Sequence, residues 1–195
     1  YSGELIVYGV QGHVGYPHLA ENPINSLFKM IEPLLNVNLD QGNDLFEPST
    51  AMITSIDVKN DSFNIIPSKA VLKFNVRFNN LFTSDSLTKK FKSHFDSLGF
   101  KYNFDYFCNA EPFLTNSGHL INCMEEAIKK ITNKIPEKST TGGTSDARFI
   151  KEICPVIEFG LVGKLMHKID EKVSVKEIME LKQVYYEFLK LFFIK

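Results

Sequence analysis

Between residues 70 and 78 every second side chain is apolar. Ala70, Leu72, Phe74, Val76 and Phe78 share one parity, and Lys73, Asn75 and Arg77 fall on the other. A period of two puts the first set on one side of a strand and the polar set on the other.

The flanking segments supply the layer for the packed face. Glu4 to Val7 alternates and reads as the start of a strand over residues 4–12. Asn22 stands as an N-cap before Pro23, and Ile24, Leu27, Phe28, Ile31, Leu34 and Leu35 recur at helical spacing. Pro33 lies inside that run and lacks the amide that a continuous helix needs, so the last turn should kink. Residues 37–50 are rich in Asp, Gly, Asn and Pro and read as a loop. Met52 to Val58 reads as a strand and Lys59 to Ser62 as a turn. A helix from Ser84 or Asp85 carries Leu87, Phe91, Phe95 and Leu98 and stops at Gly99. Lys101 to Cys108 alternates again. The resulting order, β-α-β-β-α-β, predicts a ferredoxin-like sandwich over residues 1–112.

Beyond Pro112 the pattern changes. A helix over 118–132 would bury Leu120, Ile121, Met124, Ala127, Ile128 and Ile131. Ser139 to Asp146 is a Gly/Ser/Thr loop that opens a short helix through Arg148, Phe149 and Ile150. Pro155 to Leu161 is a nearly unbroken apolar run, which predicts a buried strand. A last helix starts with a capping box, Ser174 and Glu177, and carries Val175, Ile178, Leu181, Tyr185, Phe188, Leu189 and Phe192. Residues 113–195 therefore read as a helix-helix-strand-helix piece of an α/β fold. One buried strand needs neighbours that this stretch does not supply, and Tyr1 stands almost directly in a strand, so the expectation is that sheet partners lie upstream.

Charge narrows the partners. Lys and Arg number 22 against 23 Asp and Glu, a net charge of -1, which leaves no basic field for nucleic acid or an anionic membrane. The apolar run Val184 to Ile194 is interrupted by Glu187 and Lys190 and is too short to span a bilayer. Cys108, Cys123 and Cys154 are widely spaced without a CxxC pair. That usage fits reduced thiols in a cytoplasm rather than disulfides or a cysteine zinc site.

Four places could carry chemistry. Gly9 to His18 holds His13, Tyr16 and His18 in a glycine-rich strand end, which reads either as an ordinary loop or as a site. The Thr141 to Asp146 loop reads either as an anion cradle or as a plain turn with Ser145 or Asp146 as N-cap. His167 lies just past the predicted buried strand, where α/β sheets place ligands, and is a loop residue or a metal ligand. Arg77 and Arg148 are surface cations or carboxylate clamps.

Five pieces then appear in a recognisable order. They are Gly12 to Ile24 (GHVGYPHLAENPI), Asn64-Ile65-Ile66-Pro67, Phe74 to Phe78, Gly142 to Ile150 (GGTSDARFI) and His167 to Glu171 (HKIDE). Together they resemble the M20 metallopeptidase family, and within it the dinuclear zinc amidohydrolases that desuccinylate succinyl-diaminopimelate. The resemblance runs from residue 3 almost to the end. It implies that residues 1–112 are an inserted ferredoxin-like dimerisation, or lid, domain. Residues 113–195 would be the C-terminal portion of the catalytic domain.

In such enzymes two zinc ions, replaceable by cobalt, share a water whose proton a glutamate takes. The family's His-x-Asp motif, its glutamate base and its carboxylate ligands lie upstream of the insert and are absent from these 195 residues. The resemblance therefore implies a C-terminal part, inactive alone, with His167 as the one metal ligand. It implies that His13 reaches from the partner subunit of a homodimer to the tetrahedral oxyanion. Tyr16, Asn64, Arg77, Thr144 and Arg148 match substrate-binding positions, and His18 is left as structural. The implied reaction is hydrolysis of N-succinyl-LL-2,6-diaminopimelate in lysine and diaminopimelate synthesis. A related deacylase such as acetylornithine deacetylase, or a non-catalytic dimerisation module, are the competing expectations. Thr141, Ala147 and Met166 depart from the family pattern and bear on loop geometry only.

Overall fold

Two compact units, Tyr1–Pro112 and Phe113–Lys195, make up the computed structural model, which describes residues 1–35, 38–116, 118–141 and 145–194. In the first, the chain runs β1 (Ser2–Tyr8), β2 (Gly12–His13), α1 (Pro23–Met30), α2 (Glu32–Leu35), β3 (Thr50–Asp57), β4 (Ile65–Ile66), β5 (Lys69–Arg77), α3 (Ser84–Ser97) and β6 (Tyr102–Phe107). The main sheet has the order β3-β5-β1-β6, and its three pairings are antiparallel. With α1–α2 and α3 as the two crossovers, this is the ferredoxin-like β-α-β-β-α-β arrangement.

The alternation of β5 sets which face is packed. Ala70, Leu72, Phe74 and Val76 are buried together with Leu5 and Val7 of β1, Leu27 and Met30 of α1, and Leu87, Phe91 and Phe95 of α3. Lys73 and Arg77 are exposed on the other face, where Lys73 pairs with Glu4 across the β1–β5 ladder. Gly3 is needed within this core. A Cβ there would meet the Phe74 ring at 2.3 Å, so only a bare backbone lets that ring lie across β1.

The helix expected from residue 23 through Leu35 is two helices, broken at Ile31. Asn22 caps α1 by accepting from the Ile24 amide at 3.0 Å. Pro33 has no amide to continue the ladder, so it sits in the first turn of α2 instead, where none is needed. The capping box of α3 pairs Thr83 with Ser86.

Asp40 clasps the α2–β3 loop to the end of β5. Its Oδ1 accepts from the Gly42 amide at 2.6 Å and from Asn79 Nδ2 at 2.9 Å, and its Oδ2 accepts from the Ser49 amide at 3.2 Å. Burial alone would raise the Asp40 pKa, but hydrogen bonds from Ser49, Gly42 and Asn79 outweigh it and hold the carboxyl below its ordinary value. A depressed pKa stabilises the fold above the ordinary carboxylate value, and that contribution is lost as pH falls through the folded-state pKa. Asp40→Ala strands the donors of Ser49 and Asn79, both buried, and is expected to cost about 1–3 kcal/mol at neutral pH. Denaturant unfolding at pH 7 and again in acid checks this, because the difference from wild type should shrink in acid.

In the second unit, α4 (His119–Thr132) packs on α6 (Val175–Phe193), with the four-residue α5 (Ala147–Ile150) between them in sequence. Met124, Ala127 and Ile128 of α4 meet Val184, with Phe188 and Leu191 against them. Lys130 pairs with Glu187, which is buried between these helices. Two expectations are corrected here. Of the expected α6 face, Phe188 packs on the α4 cluster, whereas Val175, Ile178, Tyr185 and Leu189 are exposed and Val184 and Leu191 complete the contact. Apolar residues ring most of this helix, so periodicity alone does not select the stripe. The run Pro155 to Leu161 forms no strand, since no described segment pairs with it in a ladder; Thr115 makes a single side-chain hydrogen bond to Val156 O, and Ile157 and Phe159 pack against the α4–α6 core.

Candidate functional site

A short ribbon built beyond the end of β1 gathers three of the expected site residues. Gly12 and His13 of β2 pair antiparallel with Ile66 and Ile65 of β4, and the Val14 amide donates to Asn64 O at 3.1 Å. The loop that carries the ribbon is closed at its base by reciprocal Val10–Glu21 hydrogen bonds. Gly9 permits this closure, since a Cβ there would stand 2.1 Å from Glu21 O. His13, Tyr16 and Asn64 are exposed on this ribbon, with the His13 and Tyr16 rings 5.8 Å apart. His18 meets the edge of Tyr16 at 6.3 Å from the far side.

The tautomer of His13 follows from its neighbour. The Gly15 amide donates to His13 Nδ1 at 3.0 Å, so in the neutral ring the proton is on Nε2. That makes Nε2–H a donor directed away from the turn. Gly15 allows the approach, because a Cβ at that position would already stand 3.1 Å from Nδ1. Asn64 is oriented by the Ser62 hydroxyl, which donates to its Oδ1 at 2.7 Å. Asn60 Nδ2 donates to Ile65 O at 2.9 Å and stiffens the same loop.

Arg77 is not brought to this cluster. It closes β5 on the open sheet face opposite Thr50, whereas the ribbon leaves the Lys69 end. At a rise of ~3.4 Å per residue the length of β5 separates them by more than about 20 Å.

In the second unit, Arg148 lies in α5 with Nη1 donating to Ser145 O at 2.7 Å and its guanidinium 4.5 Å from the Phe149 ring centroid. Ser145 fills the capping role, its hydroxyl accepting from the Ala147 amide at 3.0 Å, while Asp146 makes no side-chain cap. Thr144, with Gly142 and Gly143, lies outside the described residues. His167 is exposed and left-handed at φ 60°, in a turn that also holds Asp170 at 61°. Its amide donates to Glu171 Oε2 at 3.2 Å. Such a backbone in a non-glycine residue is strained, and strain of this kind collects at sites.

Among the described residues no group of three or more His, Cys, Asp or Glu side chains could hold a metal ion. His167 alone does not make a metal centre, so the residues present do not fit a complete one. The Gly15 amide on His13 Nδ1 and the Glu171 carboxylate on the His167 amide were not anticipated from the sequence. Their contacts depend on backbone geometry that no motif spacing encodes.

Residues 1–103 match the family model described as the peptidase dimerisation domain of the M20 peptidases. Over 185 residues the chain is 50% identical to a succinyl-diaminopimelate desuccinylase of Xanthobacter autotrophicus, which covers 94% of this chain and 49% of that protein. A tripeptidase of Staphylococcus aureus superposes with a TM-score of 0.77 at 19% identity, over 97% of this chain and 50% of that one. An M20 family metallo-carboxypeptidase of Sulfolobus solfataricus gives 0.74 at 16% identity, over 98% and 58%. The chain spans about half the length of the curated relatives it matches. Sequence match and fold agree, and the chain belongs to the M20 peptidase family, whose dimerisation domain it carries.

Proposed function

We propose that this chain is part of a metal-dependent amidohydrolase that hydrolyses the amide bond of N-succinyl-LL-2,6-diaminopimelate to succinate and LL-2,6-diaminopimelate, acting as a cytoplasmic homodimer. The observation that carries the reading is the fixed tautomer of His13. An imidazole whose Nδ1 accepts from the Gly15 amide, leaving Nε2–H as the donor, suits an amide carbonyl that gains negative charge in the tetrahedral transition state. Tyr16 and Asn64 stand beside it to contact the substrate, and Arg77, Thr144 and Arg148 complete the substrate-binding set. The arginines match the carboxylates of a succinylated diamino diacid.

The separation of His13 from Arg77 within one copy supports a dimeric site. His13 and Arg77 sit at opposite ends of β5, too far apart for one small dicarboxylate to touch both. In a dimer, His13 serves the substrate held by the partner. Phe28 of α1 and Leu35 of α2, 56% and 60% exposed, supply an apolar surface beside the edge strand β3 for that contact.

His167 would supply one ligand to a centre of two zinc ions, with cobalt as a substitute, whose other donors belong to sequence outside these 195 residues. His167→Ala in the complete protein is expected to lose one of the two metals and keep the other, read by elemental analysis of the purified dimer. Unchanged metal content would remove His167 from the ligand set. The substrate assignment is tested by comparing turnover of N-succinyl-LL-diaminopimelate and N-acetylornithine by the complete protein. Preference for the acetyl substrate would overturn it.

A further inference from the structure

Ser145 is held from three sides. Its hydroxyl donates to Glu158 Oε1 and accepts from the Ala147 amide at 3.0 Å, and its carbonyl accepts from Arg148 Nη1 at 2.7 Å. The Arg148 guanidinium is therefore fixed by one carbonyl and by the Phe149 ring beneath it at 4.5 Å. Among the described residues no ion pair joins Arg148 to Glu158. The carboxylate acts on the arginine only through the serine.

We propose that Glu158 is a positioning residue for Arg148, aiming its guanidinium at a substrate carboxylate by anchoring Ser145. A carboxylate is recognised by a planar fork, and the fork binds well only when its tilt is set beforehand. Glu158 sits in the irregular run after Pro155, so it ties that run to the loop before α5. Without it Ser145 keeps the Ala147 amide but loses its tie to the 155–161 run, so the loop that carries the carbonyl facing Nη1 is held less firmly. The consequence is weaker binding of the carboxylate with little change in the chemical step. This inference rests on Arg148 being a substrate-binding residue of the proposed desuccinylase.

The test uses the complete protein. Glu158→Ala is expected to raise KM for N-succinyl-LL-diaminopimelate about tenfold with kcat within about twofold, the signature of lost positioning rather than lost chemistry. Glu158→Gln keeps an acceptor oxygen and should recover most of the loss. Ser145→Ala should match Glu158→Ala, and adding Glu158→Ala to Ser145→Ala or to Arg148→Ala should worsen neither. A readout independent of activity is the Arg148 Nη1–H resonance, assigned with Arg148→Lys. It should move to the position of a free guanidinium in Glu158→Ala and stay in place in Glu158→Gln. Additive effects, a Gln variant no better than Ala, or an unmoved resonance would each overturn the proposal. If the wild-type protein does not hydrolyse this substrate, the functional reading falls instead, and the resonance alone decides the positioning role.

Discussion

His13→Ala in the complete protein is expected to lower kcat about a hundredfold, or ~3 kcal/mol of transition-state stabilisation, while metal content and dimer mass stay unchanged. Gly15 already holds Nδ1, so the ring is preorganised and its Nε2–H bond costs little reorganisation when charge develops. Alanine removes that donor and leaves the β2–β4 pairing intact, because the ladder uses only the backbone of residue 13. The effect should therefore fall on kcat with KM nearly preserved, the pattern of an interaction made only in the transition state.

A mixing experiment shows which subunit His13 serves. His13→Ala and His167→Ala subunits are each expected to be nearly inactive alone. A heterodimer holds one site with both histidines if His13 acts across the interface. Random re-association makes heterodimers half of all dimers, so the mixture should regain about a quarter of wild-type activity. No recovery would place His13 at its own subunit's site and sink the two-copy argument drawn from the length of β5.

Local physics explains why the first unit was legible in the sequence. The parity of Ala70 to Phe78 chose the packed face, Pro33 broke the helix where its missing amide required, and Asn22–Pro23 marked the start of α1. Each rule acts within a few residues. Pro155 to Leu161 failed for the opposite reason. An apolar run becomes a strand only beside another strand, and that partner is a non-local fact. The packed stripe of α6 was likewise decided by what α4 offered, with Val184 rather than Val175 at the contact. Among the candidate residues, residue types offered His13, Tyr16, Arg77, Arg148 and His167 as alternatives to ordinary loop or surface roles, and Asn64 came only with the family resemblance. The Gly15 amide on Nδ1, the left-handed turn at His167 and the Glu158 brace on Ser145 are backbone and cross-segment relations with no signature in composition or spacing.

Phe91→Ala should produce the largest loss of stability in the first unit, about 3–5 kcal/mol. The ring is fully buried on α3 and lies 5.3 Å from Phe74, 6.3 Å from Phe95, 6.5 Å from Phe104 and 6.1 Å from Tyr1. It thus joins β5, β6, α3 and Tyr1 just ahead of β1 around one point, and truncation leaves a cavity walled by other rigid rings that cannot collapse into it. Phe63 provides the internal comparison, since its side chain is fully exposed on the ribbon loop. Phe63→Ala is expected to stay within about 0.5 kcal/mol. At roughly 4–8 °C per kcal/mol for a unit of this size, Phe91→Ala should lower the melting transition by more than about 12 °C. Equal melting shifts for the two variants would contradict the aromatic core described for this unit. The consequence reaches function because the ribbon that carries His13 is anchored where β1 ends, where α1 begins and just before β5. Gly9 donates there to Ser68 O at 2.8 Å, and Val10 pairs with Glu21. Loosening the sheet beneath those anchors should blur the aim of Nε2–H before the unit unfolds. Turnover of Phe91→Ala should therefore decline at temperatures below its melting transition, whereas wild type keeps its activity up to its own.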